Sequence, residues 1–245
     1  MTSIWNLIMP QMTNSTERST ISSGHLTRQQ KLRLRALIEE KERRQCARDA
    51  EYWLFKYAKT RDEHDPSITA KPFPEKAYIR ELVRFWLESR MNIIEKSRQM
   101  MCSWVLCSLY LWDAQFGVNR LSFLSSKKEE DSDRLIQRCF TVWSNQPAFL
   151  KRAYPAEYSF CHLKFRRPNE PESLPYSELW GIAQGPDIIR QHVGSGLFID
   201  EGAFQNSLEA LIGAAKPMLS GGGRLDIVSS ASPGFFQSLT EDQVT

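Results

Sequence analysis

At 245 residues the chain is long enough for one large domain with an N-terminal extension, or for two small domains. Its 41% hydrophobic and 25% charged content is that of an ordinary soluble globular protein, and excludes a collagen-like, low-complexity or strongly acidic chain. The net charge of +3 is too small to mark a nucleic-acid binder by itself, since a basic patch can sit inside a balanced total. Five cysteines (Cys46, Cys102, Cys107, Cys139, Cys161) form no CxxC pair, and the four histidines (His25, His64, His162, His192) are scattered. That argues against a disulfide framework or a zinc site, and for free, buried thiols in a reducing compartment. The first twenty residues lack the basic start and apolar run of a signal peptide. Met100 to Trp112, the most apolar stretch, is about 13 residues long, short of the roughly 20 that cross a bilayer. The composition thus predicts a soluble, intracellular protein.

Residues 1–24 are rich in Ser, Thr and Asn and show no periodicity, so a disordered N-terminus is expected. A helical extension and linker over 25–70 follows. From Thr27 to Ala58 the pattern is helical, with Leu34, Leu37 and Ile38 and then Ala50, Trp53, Leu54 and Ala58 at helical spacing. Eight Lys/Arg lie between Arg28 and Arg48, interleaved with acids. They form either a solvated face with i,i+4 pairs or a basic arm for DNA or a neighbouring subunit. Arg61 to Pro74 reads as a charged connector. A third unit, 71–245, begins with an amphipathic helix over Tyr78–Ser89.

The period then changes to alternating strands and helices. Strands are predicted at Met91–Ile94, Leu121–Leu124, Tyr158–Phe165, Glu178–Ala183 (pairing with the preceding one), Leu197–Ile199 and Arg224–Ser229. Helices are predicted at Ser103–Phe116, Lys127–Ser144, Gly185–Gln191 and Leu208–Met218, with a capping box formed by Ser126 and Glu129. This order predicts an α/β fold with a mostly parallel sheet flanked by helices and ligands at the strands' carboxyl ends.

Three segments carry chemistry. KSRQMMCS, Lys96 to Ser103, lies between a strand and a helix, the context of a phosphate-binding loop. A standard loop reads GxxxxGK followed by serine or threonine. Here Ser103 supplies the hydroxyl, Cys102 stands in the lysine's place and Met101 in the glycine's, while Lys96 and Arg98 bring positive charge from the front. A methionine there crowds the close approach of backbone to phosphate. About a hundred residues later, GLFIDE (Gly196 to Glu201) is an apolar strand ending in two adjacent carboxylates, a Walker B pattern. Two neighbouring anions are costly unless a cation sits between them, which favours a metal–nucleotide site. The last segment, Ile227 to Pro233, is another apolar strand ending in hydroxyls.

In this order the segments resemble the ATPase domain of the large terminase subunit, the DNA-packaging motor of tailed bacteriophages. SRQMMCS (Ser97–Ser103) is similar to the family's phosphate loop, in the variant with lysine at its front. LFIDEGAF (Leu197–Phe204) resembles its Walker B, SSASP (Ser229–Pro233) its coupling motif, and LSFLSS (Leu121–Ser126) its second strand and turn. The resemblance spans about residues 70–240 and implies a P-loop NTPase core, with ATP and Mg²⁺ as ligands. It implies phosphate binding by Lys96, Arg98 and the amides of Ser97, Gln99, Met100, Met101, Cys102 and Ser103, and metal binding by Ser103 and Asp200. Glu201 would be the catalytic carboxylate, assisted by Arg98 and by Arg190 as a finger acting on a neighbouring subunit. Ser229, Ser230 and Ser232 would couple hydrolysis to motion, and Tyr78, in the region expected to contact adenine, would stack on the base. The implied partners are double-stranded DNA, portal protein and small terminase subunit, with a ring homo-oligomer assembled in the host cytoplasm and no membrane. The C-terminal nuclease of a complete large terminase is not expected in a chain ending at Thr245. A helicase-like nucleic-acid-dependent ATPase and a degenerate, non-hydrolysing DNA-binding or assembly scaffold are the alternatives.

Overall fold

The computed structural model describes residues 26–62, 65, 67, 69–166, 177–183 and 185–241. The expectation for residues 1–24 lies outside them. Contacts divide the chain into two units, one up to Lys41 and one from Glu42 onward. In the first unit the chain is helical from Arg28, the start of α1 (Arg28–Arg48), and Leu32, Leu37 and Ile38 are exposed. Arg35 and Glu39 form an i,i+4 pair at 2.9 Å on its surface, the kind of contact a solvated helix face makes.

The second unit departs from the expected helical run near its start. The single helix expected to Ala58 breaks at Asp49, whose carboxylate accepts a hydrogen bond from the Tyr52 amide and caps α2 (Ala50–Lys56). Ala50, Trp53, Leu54 and Ala58 are buried as their spacing predicts. The connector contains a small antiparallel pair, β1 (Lys59–Thr60) with β2 (Lys71–Pro72). Next, α3 (Ala77–Glu88) buries Ile79, Leu82, Val83 and Trp86 but leaves Phe85 half exposed.

The central sheet has seven strands in the order β3–β9–β8–β4–β7–β6–β5. They are β3 (Met91–Glu95), β4 (Leu121–Ser126), β5 (Ala156–Ser159), β6 (His162–Phe165), β7 (Ser177–Ala183), β8 (Gly196–Asp200) and β9 (Arg224–Ser229). The first five in spatial order run parallel, and β6 and β5 complete the sheet antiparallel. The strand expected over Tyr158–Phe165 is thus a hairpin, turned at Phe160–Cys161 with Cys161 at φ 61°. Its second arm pairs with β7, as expected. The capping box at Ser126 does not form. Ser126 is still in β4, and its amide donates to Ser132 Oγ at 3.0 Å.

Helices cover both faces of the sheet: α4 (Cys102–Phe116) and α5 (Glu129–Ser144) on one, α7 (Asp187–Gln191), α8 (Leu208–Ser220) and α9 (Phe235–Thr240) on the other. A short α6 (Ala148–Ala153) follows α5. The parallel strands feed both cores with period two: Phe198 and Val228 face α4, whereas Leu197, Ile199, Leu225 and Ile227 face α8. Asp200, two residues beyond Phe198, therefore projects on the α4 side of the carboxyl edge. All five cysteines are free and buried. Among the described residues, no helix is long and apolar enough to cross a membrane.

Candidate functional site

The register brings the three sequence motifs to one edge. Glu95 of β3 lies opposite Ser229 of β9, and Val228 opposite Asp200 of β8. The serine-bearing strand is thus inserted between the strand that leads into the loop and the strand that carries the carboxylates. Lys96 extends the ladder by one bond, its amide donating to the Ser229 carbonyl at 2.9 Å, and the chain then leaves the sheet.

From Ser97 to Met101 the backbone turns back into α4 through two left-handed residues, Gln99 (φ 64°) and Met101 (φ 55°, ψ 11°). A side chain in that region costs about 1–2 kcal/mol relative to ordinary backbone, and turns of this kind aim successive amides into an anion-binding concavity. Met101 holds the conformation for which glycine is the usual choice, while its half-buried side chain packs on the main core. The Val105 amide donates to the Met101 carbonyl at 3.0 Å and closes the first turn of α4, leaving the amides of Cys102 and Ser103 without partners inside the helix. Cys102 is 5% exposed, and burial raises its thiol above the ordinary value. It is a neutral group in the position of the usual lysine.

Opposite the loop, Ser103 Oγ donates to Asp200 Oδ1 at 2.7 Å, and Lys96 Nζ meets Glu201 Oε1 at 2.9 Å. Burial pushes the Asp200 carboxyl up, while the Ser103 hydroxyl and the Arg138 guanidinium oppose the rise. Glu201 is itself left-handed (φ 50°, ψ 46°), which swings its carboxylate out of the strand direction towards Lys96. Gly202 follows because a Cβ there would come within 2.7 Å of Ile227 Cγ2. Ser229 Oγ accepts the Ala203 amide at 3.1 Å, so the end of β9 is bonded both to Lys96 and to the turn after Glu201. Ser230 and Ser232 continue from it, half-buried.

Beside the loop, a groove of about 610 Å³ runs between α3 and the outer edge of β3, lined by Tyr78, Phe85, Ile94, Lys96, Met100 and Cys102. Tyr78 thus stands next to the loop. Ser97, Arg98 and Gln99 are exposed at its rim, and Arg98 makes no ion pair among the described residues. Arg190 is not brought to this site. It is exposed on α7 and pairs with Asp187 of the same helix at 3.2 Å.

Two residues at the site escaped the sequence reading. Arg138, on α5, places Nη1 3.8 Å from Asp200 Oδ2 and its guanidinium 5.6 Å over the Trp104 ring. Gln205, buried, donates to the Asp200 carbonyl at 2.8 Å, and its Oε1 accepts the Ser125 hydroxyl at 3.3 Å, tying β8 to β4. Helical periodicity places Arg138 on a mixed face with nothing to single it out. Gln205 has a signal only in its distance from Asp200-Glu201.

The molecule has the fold of a P-loop-type α/β ATPase domain, that of the ATPase domains of phage large terminases. It is similar to the ATPase domain of the Thermus phage P74-26 large terminase (TM-score 0.51, 13% identity, covering 67% of this chain and 68% of that one). It is also similar to the HK97 bacteriophage large terminase (TM-score 0.56, 11% identity, 80% and 40% covered). A third likeness is to the large terminase of a thermophilic bacteriophage in complex with ADP (TM-score 0.51, 14% identity, 69% and 43% covered). The chain therefore spans less than half of the last two. No protein-family model and no curated protein matches its sequence.

Proposed function

We propose that this chain is an ATP-hydrolysing motor domain of the terminase type, which moves double-stranded DNA into a viral procapsid. The observation that carries the reading is the meeting of the loop with both carboxylates: Ser103 on Asp200 and Lys96 on Glu201, over a backbone turned for anions. Lys96, Arg98 and the loop amides bind the phosphates, and the groove beside Tyr78 takes the base. The donor set fits Mg²⁺, because Ser103 and Asp200 present hard oxygens side by side. When bound, the metal neutralises charge on the phosphates.

Glu201 orients the attacking water and takes its proton; it is 39% exposed and so remains open to water while paired with Lys96. Ser229 passes the change onward, since its carbonyl holds the root of the loop and its hydroxyl the turn after Glu201. The DNA-moving role rests on the likeness of fold and on the order of the three motifs.

The test is a pair of measurements on the full chain. Glu201→Gln is expected to lower ATP hydrolysis by about 10²-fold or more while a fluorescent ATP analogue still binds saturably. Hydrolysis at the wild-type rate in that variant sinks the catalytic assignment. Absence of saturable binding by the wild type favours the scaffold alternative, consistent with its neutral Cys102.

A further inference from the structure

Arg138 has no place in the three motifs, yet it stands at the centre of the site. Its 3.8 Å distance from Asp200 Oδ2 is too long for a hydrogen bond, so this contact is one of charge. Asp200 already has a hydrogen bond from Ser103. The guanidinium lies 5.6 Å over the ring of Trp104, the residue directly after Ser103 in the first turn of α4. Its side chain is 28% exposed.

The charges at the site include two facing pairs, Lys96 with Glu201 and Arg138 with Asp200. A standard loop places a lysine where this chain has the buried, neutral Cys102. We propose that Arg138 is the cation that replaces it: a phosphate ligand, reaching from α5 to the terminal phosphoryl oxygens of a nucleoside triphosphate. The inference rests on the nucleotide-site reading above. An arginine keeps its charge in proteins, and its fork suits bidentate contact with phosphate oxygens. Its charge contact with Asp200 places the guanidinium beside the carboxylate that Ser103 also meets.

Nucleotide binding, read with a fluorescent ATP analogue in EDTA and again with Mg²⁺, tests this without relying on turnover. Arg138→Gln is expected to weaken ATP binding at least tenfold in both buffers, and Arg138→Lys, which keeps the charge, by clearly less. Binding within twofold of wild type in Arg138→Gln overturns the proposal, as does an equal loss in the two variants. Lys96→Ala is the control: if it weakens binding while Arg138→Gln does not, the site reading stands and only the role of Arg138 falls. If the wild type binds no nucleotide, the site reading itself falls. Should Arg138→Gln fail to fold, the wild-type chain decides by phenylglyoxal labelling followed by peptide mass spectrometry. ATP, and not adenosine, is expected to slow modification of Arg138 several-fold; an unchanged rate overturns the proposal.

Discussion

Met101 shows how a single residue can look wrong in sequence and be tolerated in structure. A side chain in the glycine position of a phosphate loop is awkward for two reasons: it crowds the phosphate, and it resists positive φ. The first difficulty is met by packing the thioether on the core, and the second is borne as strain at φ 55°. A β-branched side chain bears that strain worst, and glycine carries none. Met101→Ile is therefore expected to be less stable than Met101→Gly by about 1–2 kcal/mol in urea unfolding, although isoleucine is the better match in size and polarity. The reverse order means that packing, and not backbone conformation, governs this position. The sequence reads Lys96 as the displaced lysine of the loop, but gives no hint of its partner Glu201. Only the left-handed turn at Glu201 brings that carboxylate to it.

At the scale of elements, β9 is the piece on which the site depends, and its other end is fastened by a buried charged cluster. Asp226, fully buried, accepts hydrogen bonds from Tyr110 Oη of α4 at 2.8 Å, from Asn92 Nδ2 of β3 at 2.6 Å and from Arg224 Nε at 3.0 Å. Arg224 also donates to the carbonyls of Trp86 and Ser89 and lies 3.4 Å over the Trp86 ring. The cluster joins α3, β3, α4 and β9 on the side of the sheet that carries α4, so the loop and the serines keep their register at the far end. Arg224→Met leaves Asp226 buried without its cation and is expected to cost about 3–5 kcal/mol in denaturant unfolding. Tyr110→Phe removes one bond to a charged acceptor, for about 1.5–3 kcal/mol. A loss below 1 kcal/mol in Arg224→Met shows that the cluster relaxes and does not hold the strand. The strand itself was plain from its apolar run. The cluster was not, because a charged residue inside a strand pattern gives no hint of partners more than a hundred residues away. Local competition also hid the break at Asp49 and the false capping box at Ser126: a carboxylate that can cap divides a continuous helical pattern, and a hydroxyl that could cap stays in a parallel strand.

For the molecule as a whole, the residue left over is Arg190. Exposed on α7 and paired within its own helix, it contacts neither the loop nor the carboxylates of its own chain. The resemblance implies that this arginine, just before the carboxylate strand, acts on a neighbouring subunit's site. The fold does bear on it, because α7 lies on the face of the sheet opposite α4, whereas Asp200 projects on the α4 side. A role in hydrolysis would therefore fall at a second copy of the chain, in keeping with the ring that the resemblance implies. Mixing separates the two roles. Arg190→Ala keeps a complete site but offers no finger, whereas Glu201→Ala offers a finger but cannot hydrolyse. Each alone is expected to be slow, and an equimolar mixture should hydrolyse ATP several-fold faster than the sum of the two, increasingly so with protein concentration. Arginine fingers contribute factors of about 10³ or more where they act fully, so even partial assembly should be visible. A mixture whose rate equals the sum at every concentration would show that Arg190 takes no part in a neighbour's site, and that each chain must complete its chemistry with Lys96, Arg98 and Arg138 alone.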